Sequence, residues 1–283
     1  MNAPLNNLPQ SAPPPAAPQR SIGNASVQMG RVNGQARLRD LHQSGSAKAI
    51  LPHQHKPPPT GPEVVFLNTS GGLTGGDHLT YALKTGADVR VTATTQTAER
   101  AYRSLHGAAQ MDVSLRVDDG GHLDWLPQET ILFNHANLKR KTRIDLFGTA
   151  TCLCVETIIL GRFAMGESLT HLSLLDQREI WRDNRPILLD PLRITGATLT
   201  AGPAALGAAR AMASVAMITP DAGDILAALR AELTDPDCSA FASAFDGKLT
   251  IRITALDGMP LRRQLIRILD ILRPGALPRV WQI

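Results

Sequence analysis

The chain has 283 residues, of which 43% are hydrophobic and only 4% aromatic, and its formal net charge is +4. This size and composition are typical of a soluble globular protein with a sizeable core. Five arginines lie in the C-terminal segment 258–283, but they are not interleaved with the aromatic side chains on which bases stack. The composition therefore argues against nucleic-acid binding.

The sequence also argues against a membrane or secreted protein. No window approaches the roughly 18 uninterrupted apolar residues of a membrane-spanning helix, and the N-terminus lacks the basic start and apolar core of a secretory signal. Three cysteines cannot form a disulfide framework, and their odd number suits a reducing compartment. We therefore expect a cytoplasmic protein.

The first part of the chain is rich in proline. Six prolines fall in the first twenty residues, which predicts that residues 1–27 form a disordered, Pro/Ala-rich tail and that residues 28–283 form a single domain. A second proline-rich segment, 52–62, predicts a loop. Its His53 and His55 are interpreted as solvated loop residues rather than metal ligands, because no cysteine or carboxylate follows at ligand spacing.

From Glu63 onward the pattern predicts an all-β body. Short segments with β-branched and alternating character follow one another, with turn residues between them. The nine predicted strand segments are EVVFLN, DHLTYALKTG, DVRVTATT, AQMDVSLRVDDGG, HLDWLP, KTRIDLFG, TCLCVETIILG, THLSLLDQREIW and LRITGATLT. Cys152 and Cys154 lie in one of these apolar runs, which favours plain core residues over metal ligands.

Helical patterns appear only near the C-terminal end. Apolar residues recur at helical spacing in DAGDILAALRAEL and again in MPLRRQLIRILDILRPG. The second segment has a wide apolar stripe, made of Leu261, Leu265, Ile268, Leu269 and Leu272. Between the two helices, SAFASAFDGKLTIRITAL predicts a β-hairpin that turns at Asp246–Gly247.

Residues 71–77, GGLTGGD, form a glycine-rich segment between two predicted strands. It is not a Walker loop, because Gly76 is followed by Asp77 and not by lysine, and it is not a Rossmann fingerprint, because no helix follows it. Glycine pairs between strands permit a sharp turn or a close approach of two backbones. Asp77 is then either a cap of that turn or a carboxylate positioned for function.

The sequence contains no recognisable catalytic motif: no Gly-x-Ser-x-Gly, His-Glu-x-x-His or Cys-x-x-Cys is present. Glu129 and Glu167 each lie beside apolar neighbours. A pair of acids can hydrolyse glycosides or bind a divalent ion weakly. For each glutamate taken alone, the pattern favours an exposed acid at a strand end.

Five segments taken together resemble the urease accessory protein family UreD, also called UreH. They occur in the order and at about the spacing that the family shows, and the resemblance extends more diffusely from about residue 30 to the C-terminus. The segments are GGLTGGDHL (71–79), TTQTAERAYRS (94–104), LDWLPQETILFNHA (123–136), LGRFAMGE (160–167) and REIWRDNRPILLD (178–190).

The resemblance implies a protein that is not an enzyme. UreD-like proteins are scaffolds that bind UreF and, through it, the GTPase UreG, and the assembly docks on urease apoprotein so that nickel reaches its active site. The implied fold is mainly β: a single large β-helix-like body of many short strands, with two helices that lie here toward the C-terminal end. No tightly bound cofactor is implied, and Ni²⁺ is expected only in transit.

Carried over by motif, Asp77 of GGD, Glu129 of LPQE and Glu167 of MGE are the acids expected along such a nickel path. Isolated carboxylates suit a carrier, because they release Ni²⁺ more readily than a closed site of cysteine or histidine ligands. The alternative is a carbohydrate-active β-helix enzyme in which Glu129 and Glu167 act as acid and base.

Overall fold

The computed structural model describes residues 20–53 and 60–282, which form seventeen β-strands and three α-helices. The first ten strands are β1 (Ile22–Val32), β2 (Gln35–Gly45), β3 (Ala47–Ile50), β4 (Glu63–Asn68), β5 (His78–Thr85), β6 (Arg90–Thr95), β7 (Glu99–Ala101), β8 (Ala109–Val117), β9 (His122–Leu126) and β10 (Thr130–Leu132). They are followed by β11 (Asn137–Leu146), β12 (Thr151–Leu160), β13 (Ser173–Arg182), β14 (Arg185–Thr195), α1 (Gly196–Thr200), β15 (Ala211–Ile218), α2 (Ala222–Ala231), β16 (Cys238–Phe245), β17 (Lys248–Ala255) and α3 (Gly258–Leu272).

All seventeen strands belong to two sheets, and the chain passes back and forth between them; β7 and β10 belong to the second sheet, where β10 pairs with β12 and β7. The first sheet has the order β14-β13-β11-β8-β5-β1-β2, and the second runs β16-β17-β15-β12-β9-β6-β4-β3. Strands β5, β8, β11 and β13 form a parallel ladder in the first sheet, and β4, β6, β9 and β12 form one in the second. The chain therefore winds a β-helix of about four turns.

This architecture confirms the predicted mainly β, β-helix-like fold and the two C-terminal helices, α2 and α3. The predicted hairpin is formed by β16 and β17, and both turn residues, Asp246 and Gly247, have positive φ. One predicted strand segment, 192–200, is only partly a strand. Its second half forms the short helix α1, which a capping box between Thr195 and Thr198 stabilises.

The domain boundary predicted at residue 28 is wrong, because β1 begins at Ile22 inside the predicted tail. Burial alternates along β1: the residues that point to one face are buried, and most of those that point to the other face are polar or small. The strand pairs with β2 on one side and with β5 on the other, so its backbone hydrogen bonds are satisfied within the sheet. Residues 1–19 of the predicted tail lie outside the described residues.

The second proline-rich segment lies mostly outside the described residues, and His55 is among those that are not described. His53 is exposed, in line with a position on a loop. Strands β2 and β3 precede this segment, so the sheets begin well before Glu63.

The interior of the β-helix is a large apolar core between the two sheets. Phe66 packs against Tyr81 and Trp125, with ring centroids 4.8 and 6.2 Å apart. Cys152 and Cys154 are buried in this core, which confirms that they are core residues. Burial raises the pKa of the Cys152 thiol to about 12.

Helices α2 and α3 cover the outer face of the second sheet and enclose a second apolar core. The predicted stripe of α3 is buried there in full: Leu261, Leu265, Ile268, Leu269 and Leu272. This explains why β12, in the centre of the sheet, has almost no exposed residue: one face lines the β-helix and the other contacts the helical layer. In the part of the chain that the structure describes, no helix combines the length and apolar character needed to cross a bilayer.

A buried ion network crosses the interior of the β-helix. The guanidinium of Arg140 on β11 donates to both carboxylate oxygens of Asp176 on β13, at 2.9 and 2.7 Å. It also lies 2.8 Å from a carboxylate oxygen of Glu156 on β12 and donates to the hydroxyl of Thr130 on β10. Glu156 accepts a further hydrogen bond from the indole of Trp125 on β9.

Two guanidiniums balance the two carboxylates of this network, because Arg178 also lies 3.6 Å from Asp176. Burial alone lowers the pKa of Arg140, but the neighbouring carboxylates of Asp176 and Glu156 outweigh it and raise that pKa. Burial raises the pKa of Glu156, and the charge of Arg140 opposes this rise. The side chains of Arg140, Asp176 and Glu156 are nearly inaccessible to water. Water therefore cannot replace the contacts that they make with one another.

Arg140→Ala is expected to lower the free energy of unfolding by about 3 to 5 kcal/mol, because it removes the guanidinium that pairs with both Asp176 and Glu156, and Arg178, whose Nε lies 3.6 Å from Asp176, does not replace its hydrogen bonds. Chemical denaturation measures the effect. Lys84→Ala is the matched control: its ion pair with Asp118 is exposed, so its loss is expected to cost less than about 1 kcal/mol. Equal effects of the two substitutions would contradict a special contribution of the buried network.

Candidate functional site

Four loops lie next to one another along one side of the β-helix, and they form what we term the loop ridge. They are the connections that lead from the second sheet back to the first, over residues 69–77, 102–108, 133–136 and 161–172. Four of the five segments that carry the family resemblance contribute to them, although these segments are far apart in the sequence. The β-helix therefore collects dispersed motifs into one surface.

The glycine-rich segment forms the first loop of the ridge. Leu73 donates its N–H to the carbonyl of Arg100 at 2.7 Å, and Tyr102 donates to the carbonyl of Leu73 at 2.8 Å. Gly72 has a φ of 152°, and a Cβ added there would lie 2.4 Å from the Tyr102 ring. The glycines therefore permit close contact with the neighbouring loop, as the sequence predicted.

Asp77 is the cap of this turn. One carboxylate oxygen accepts the backbone N–H of Thr74 at 2.8 Å, and the other accepts the N–H of Ser21 at 2.8 Å. The backbone N–H of Asp77 returns a hydrogen bond to the carbonyl of Thr74, and the residue is only 5% exposed. The first of the two interpretations of Asp77 is thus observed, and its carboxylate also fixes the start of β1.

Glu167 has a similar role at the other end of the ridge. Its oxygens accept the backbone N–H groups of Asn134 and Arg162, at 3.1 and 2.9 Å, and the Arg162 side chain contacts it as well. Burial alone raises the pKa of Glu167, but hydrogen bonds from Arg162 and Asn134 outweigh it and lower that pKa. A glycosidase acid needs a raised pKa, so this environment does not favour the carbohydrate-active enzyme.

Glu129 lies away from both of these acids. It directly precedes β10, is about one-third exposed and faces Arg262 of α3, whose guanidinium is 3.6 Å from its carboxylate. The groove around it is lined by Ile131, Met259 and Trp281. Over residues 20–53 and 60–282, no three or more histidine, cysteine, aspartate or glutamate side chains are grouped to hold a metal ion. The three predicted acids therefore do not form a common site.

Glu99 is an acid that the sequence analysis did not single out. It begins β7, beneath the first two loops, and accepts hydrogen bonds from the amide of Asn68 at 3.2 and 3.4 Å. Burial raises its pKa to about 7, although the Asn68 hydrogen bond opposes this rise. With Gln128 and Glu156 it lines a small cavity whose other walls include Met111 and Trp125. Its position within TTQTAERAYRS, one of the five family-like segments, is the sequence signal that could have identified it.

Large apolar side chains project from the ridge into solvent. Tyr102, Leu105, Phe163 and Met165 are exposed, the last by 78%. Two of them rest on a neighbouring side chain: Tyr102 packs edge-on against Phe133, and the Arg210 guanidinium lies 4.2 Å from the centre of the Phe163 ring. Apolar groups that are held in place and exposed are typical of a surface that contacts another protein.

The fold is a β-helix in which four of the five family-like segments form one surface that carries exposed apolar side chains. The family model described as UreD urease accessory protein matches residues 21–282. The chain therefore belongs to the UreD family of urease accessory proteins.

Curated relatives agree with this assignment. The chain is 54% identical over 272 residues to the urease accessory protein UreD of Cereibacter sphaeroides (strain ATCC 17025), an alignment that covers 95% of this chain and 98% of the relative. It is 51% identical to that of Paracoccus denitrificans, with 95% of each chain covered, and 40% identical to that of Chelativorans sp., with 95% and 96% covered.

Gly72→Ala is expected to destabilise the ridge by about 2 kcal/mol or more, because the new methyl group overlaps the Tyr102 ring at a strained φ. Gly71→Ala is the matched control. Its φ of 79° is also positive, but a Cβ there meets no atom within 4 Å, so only the backbone cost of about 1 kcal/mol remains. Thermal unfolding compares them, and a larger loss for Gly71→Ala would contradict the close packing described.

Glu99→Gln is expected to reduce the pH dependence of stability. The pKa of Glu99 is about 7 in the folded chain against an ordinary 4.5, so wild-type stability falls as the pH rises from about 4.5 to about 7. The neutral glutamine avoids this loss, which amounts to at most about 3 kcal/mol at pH 8. Denaturation at pH 5 and pH 8 measures both proteins, and parallel pH profiles would show that Glu99 does not titrate in this range.

Proposed function

We propose that this protein is a scaffold of urease maturation that binds UreF and, through it, the GTPase UreG, and that helps to deliver nickel to urease apoprotein. Membership of the UreD family supports the accessory role. The observation that supports the scaffold role is the loop ridge, where exposed apolar side chains stand on loops that are held by backbone and side-chain contacts within the chain.

We assign the contact with UreF to the ridge, and specifically to Phe163 and Met165. Both project from the last loop, whose conformation is fixed by Glu167. Because the supporting contacts lie within the chain, binding does not need to order this loop first, and the entropic cost of association is small.

The proposed nickel role rests on carboxylates that bind the ion weakly enough to release it. The contacts of Asp77 and Glu167 favour a structural role for both, since backbone N–H groups occupy their oxygens. Glu129, which is partly exposed and lies beside a groove, is the predicted acid whose carboxylate is open to an ion. We therefore propose Glu129 as the first of the three to test.

The function is tested by expressing urease and its other accessory proteins with and without this chain, and by measuring nickel content and urea hydrolysis. We expect that omission of the chain lowers both. Phe163→Ser/Met165→Ser is expected to lose co-purification with UreF, whereas Leu189→Ser, an exposed leucine on β14, is expected to retain it. Glu129→Gln is expected to lower nickel content without affecting UreF binding.

A different result would contradict each part of the proposed function. Equal nickel content and activity with and without the chain would overturn the urease role. Retained UreF binding by the Phe163/Met165 variant would exclude the ridge as the UreF surface. Normal activation by Glu129→Gln would remove its transit role. Asp77→Asn, measured alongside, is expected to lower the melting temperature, because the new amide nitrogen cannot accept one of the two backbone hydrogen bonds.

A further inference from the structure

The outermost strands of the two sheets differ in how they are protected against pairing with another chain. In the part of the chain that the structure describes, the strands at the ends of the two main strand orders are β2, β14, β3 and β16, and the three-residue β7 pairs with β10 alone. β2 carries arginine and aspartate side chains, β14 contains Pro186 and Pro191, and β3 has only four residues. Charges, prolines and short length are the usual means of blocking an exposed edge. The sequence of β16, CSAFASAF, has neither a charged residue nor a proline.

The geometry of the hairpin identifies which backbone groups β16 presents at this edge. Its two-residue turn, Asp246–Gly247, has positive φ at both positions, so Phe245 and Lys248 form the hydrogen-bonded pair that closes the hairpin. Alternation along the strand then directs the N–H and C=O groups of the alanines at 240, 242 and 244 away from β17. Arg230 supports this, because its guanidinium reaches around from α2 to the carbonyl of Ala242.

The side chains of β16 also match a second copy of the same strand. Residues 241–245, FASAF, read identically in both directions around Ser243. In a two-fold antiparallel pair centred on Ser243, Phe241 of each copy faces Phe245 of the other, and Ser243 faces Ser243. These are non-hydrogen-bonded pairs, in which opposing side chains approach most closely and aromatic pairs are favourable. Phe241 is 73% exposed and Phe245 52% exposed in the single chain.

We propose that β16 is a self-association edge, through which two copies of this chain pair antiparallel with the two-fold axis at Ser243. The alanines at 242 and 244 exchange backbone hydrogen bonds between the copies, and their small side chains permit the close approach. An uncharged, self-complementary edge fits a second copy better than a strongly charged partner. The proposal does not depend on the function proposed above.

Arg230 moderates this association. It donates to the Ala242 carbonyl at 3.1 and 2.7 Å, and this is one of the groups that the second copy would use. A carbonyl oxygen accepts two hydrogen bonds, and Arg230 donates both of them here, so pairing with a second copy requires Arg230 to release at least one. The pairing therefore competes with an existing contact, and we expect a dimer that dissociates on dilution.

The test uses cysteine substitutions in the full chain, with Cys238→Ser to remove the half-buried native thiol. The two other cysteines are buried and do not interfere. Ser243→Cys places two thiols opposite each other at the proposed axis. Ser239→Cys is the matched control, because it lies on the same face but opposite Gly247 of the second copy. After mild oxidation, we expect Ser243→Cys, and not Ser239→Cys, to yield a covalent species of twice the 30.4 kDa chain mass.

A second measurement does not depend on cysteine chemistry. Light scattering of the unmodified chain is expected to show a dimer that dissociates over a dilution series, and Phe241→Lys/Phe245→Lys is expected to remain monomeric. Both phenylalanines are exposed, so an unchanged melting temperature checks that the variant is folded. A monomer at all concentrations would overturn the proposal. Crosslinking of Ser239→Cys to itself, or only to Ser243→Cys, would overturn the register.

Discussion

The β-helix depends on the way one buried cation is neutralised inside it. Arg140 is almost inaccessible, yet its guanidinium is bound by groups from β10, β12 and β13. The free-energy cost of an unpaired charge at that depth exceeds the stabilisation that many apolar contacts provide. The turns of the β-helix are therefore stable only when the ion network is complete. This couples the two sheets: a shift of either ladder by one residue would move a charged group of the network to the other face. The apolar core supplies most of the stabilisation, whereas the ion network specifies the register.

The loop ridge follows from this regular register. Because each turn of the coil places its connection beside the preceding one, motifs separated by about 30 residues come into contact. Asp77 and Glu167 then act in the same way at opposite ends of the ridge, since each uses two carboxylate oxygens to fix backbone N–H groups of a neighbouring segment. The acids of the family motifs thus shape the surface on which the exposed apolar side chains stand.

The sequence predicted the strands that alternate and the helices with a clear stripe, because these depend on local periodicity. β4 and the hairpin of β16 and β17 were found at the right positions, and of the two roles left open for Asp77 the structure shows the cap. β1 was missed because its polar and small residues resemble a loop until β2 and β5 satisfy its hydrogen bonds. The separation of Glu129 from Glu167, and the burial of Glu99, result from the coiling of the chain, which no local pattern records.

The two edges of the first sheet, β2 and β14, explain why the β-helix has a limited number of turns. On each side, the last parallel strand is followed by an antiparallel one: β2 covers β1, and β14 covers β13. A further turn of the coil would need a parallel neighbour, and both positions are already occupied by hairpins. The hairpins therefore cap the β-helix at both ends of this sheet and limit it to a fixed number of turns. They also prevent copies of the chain from joining end to end into fibres through this sheet.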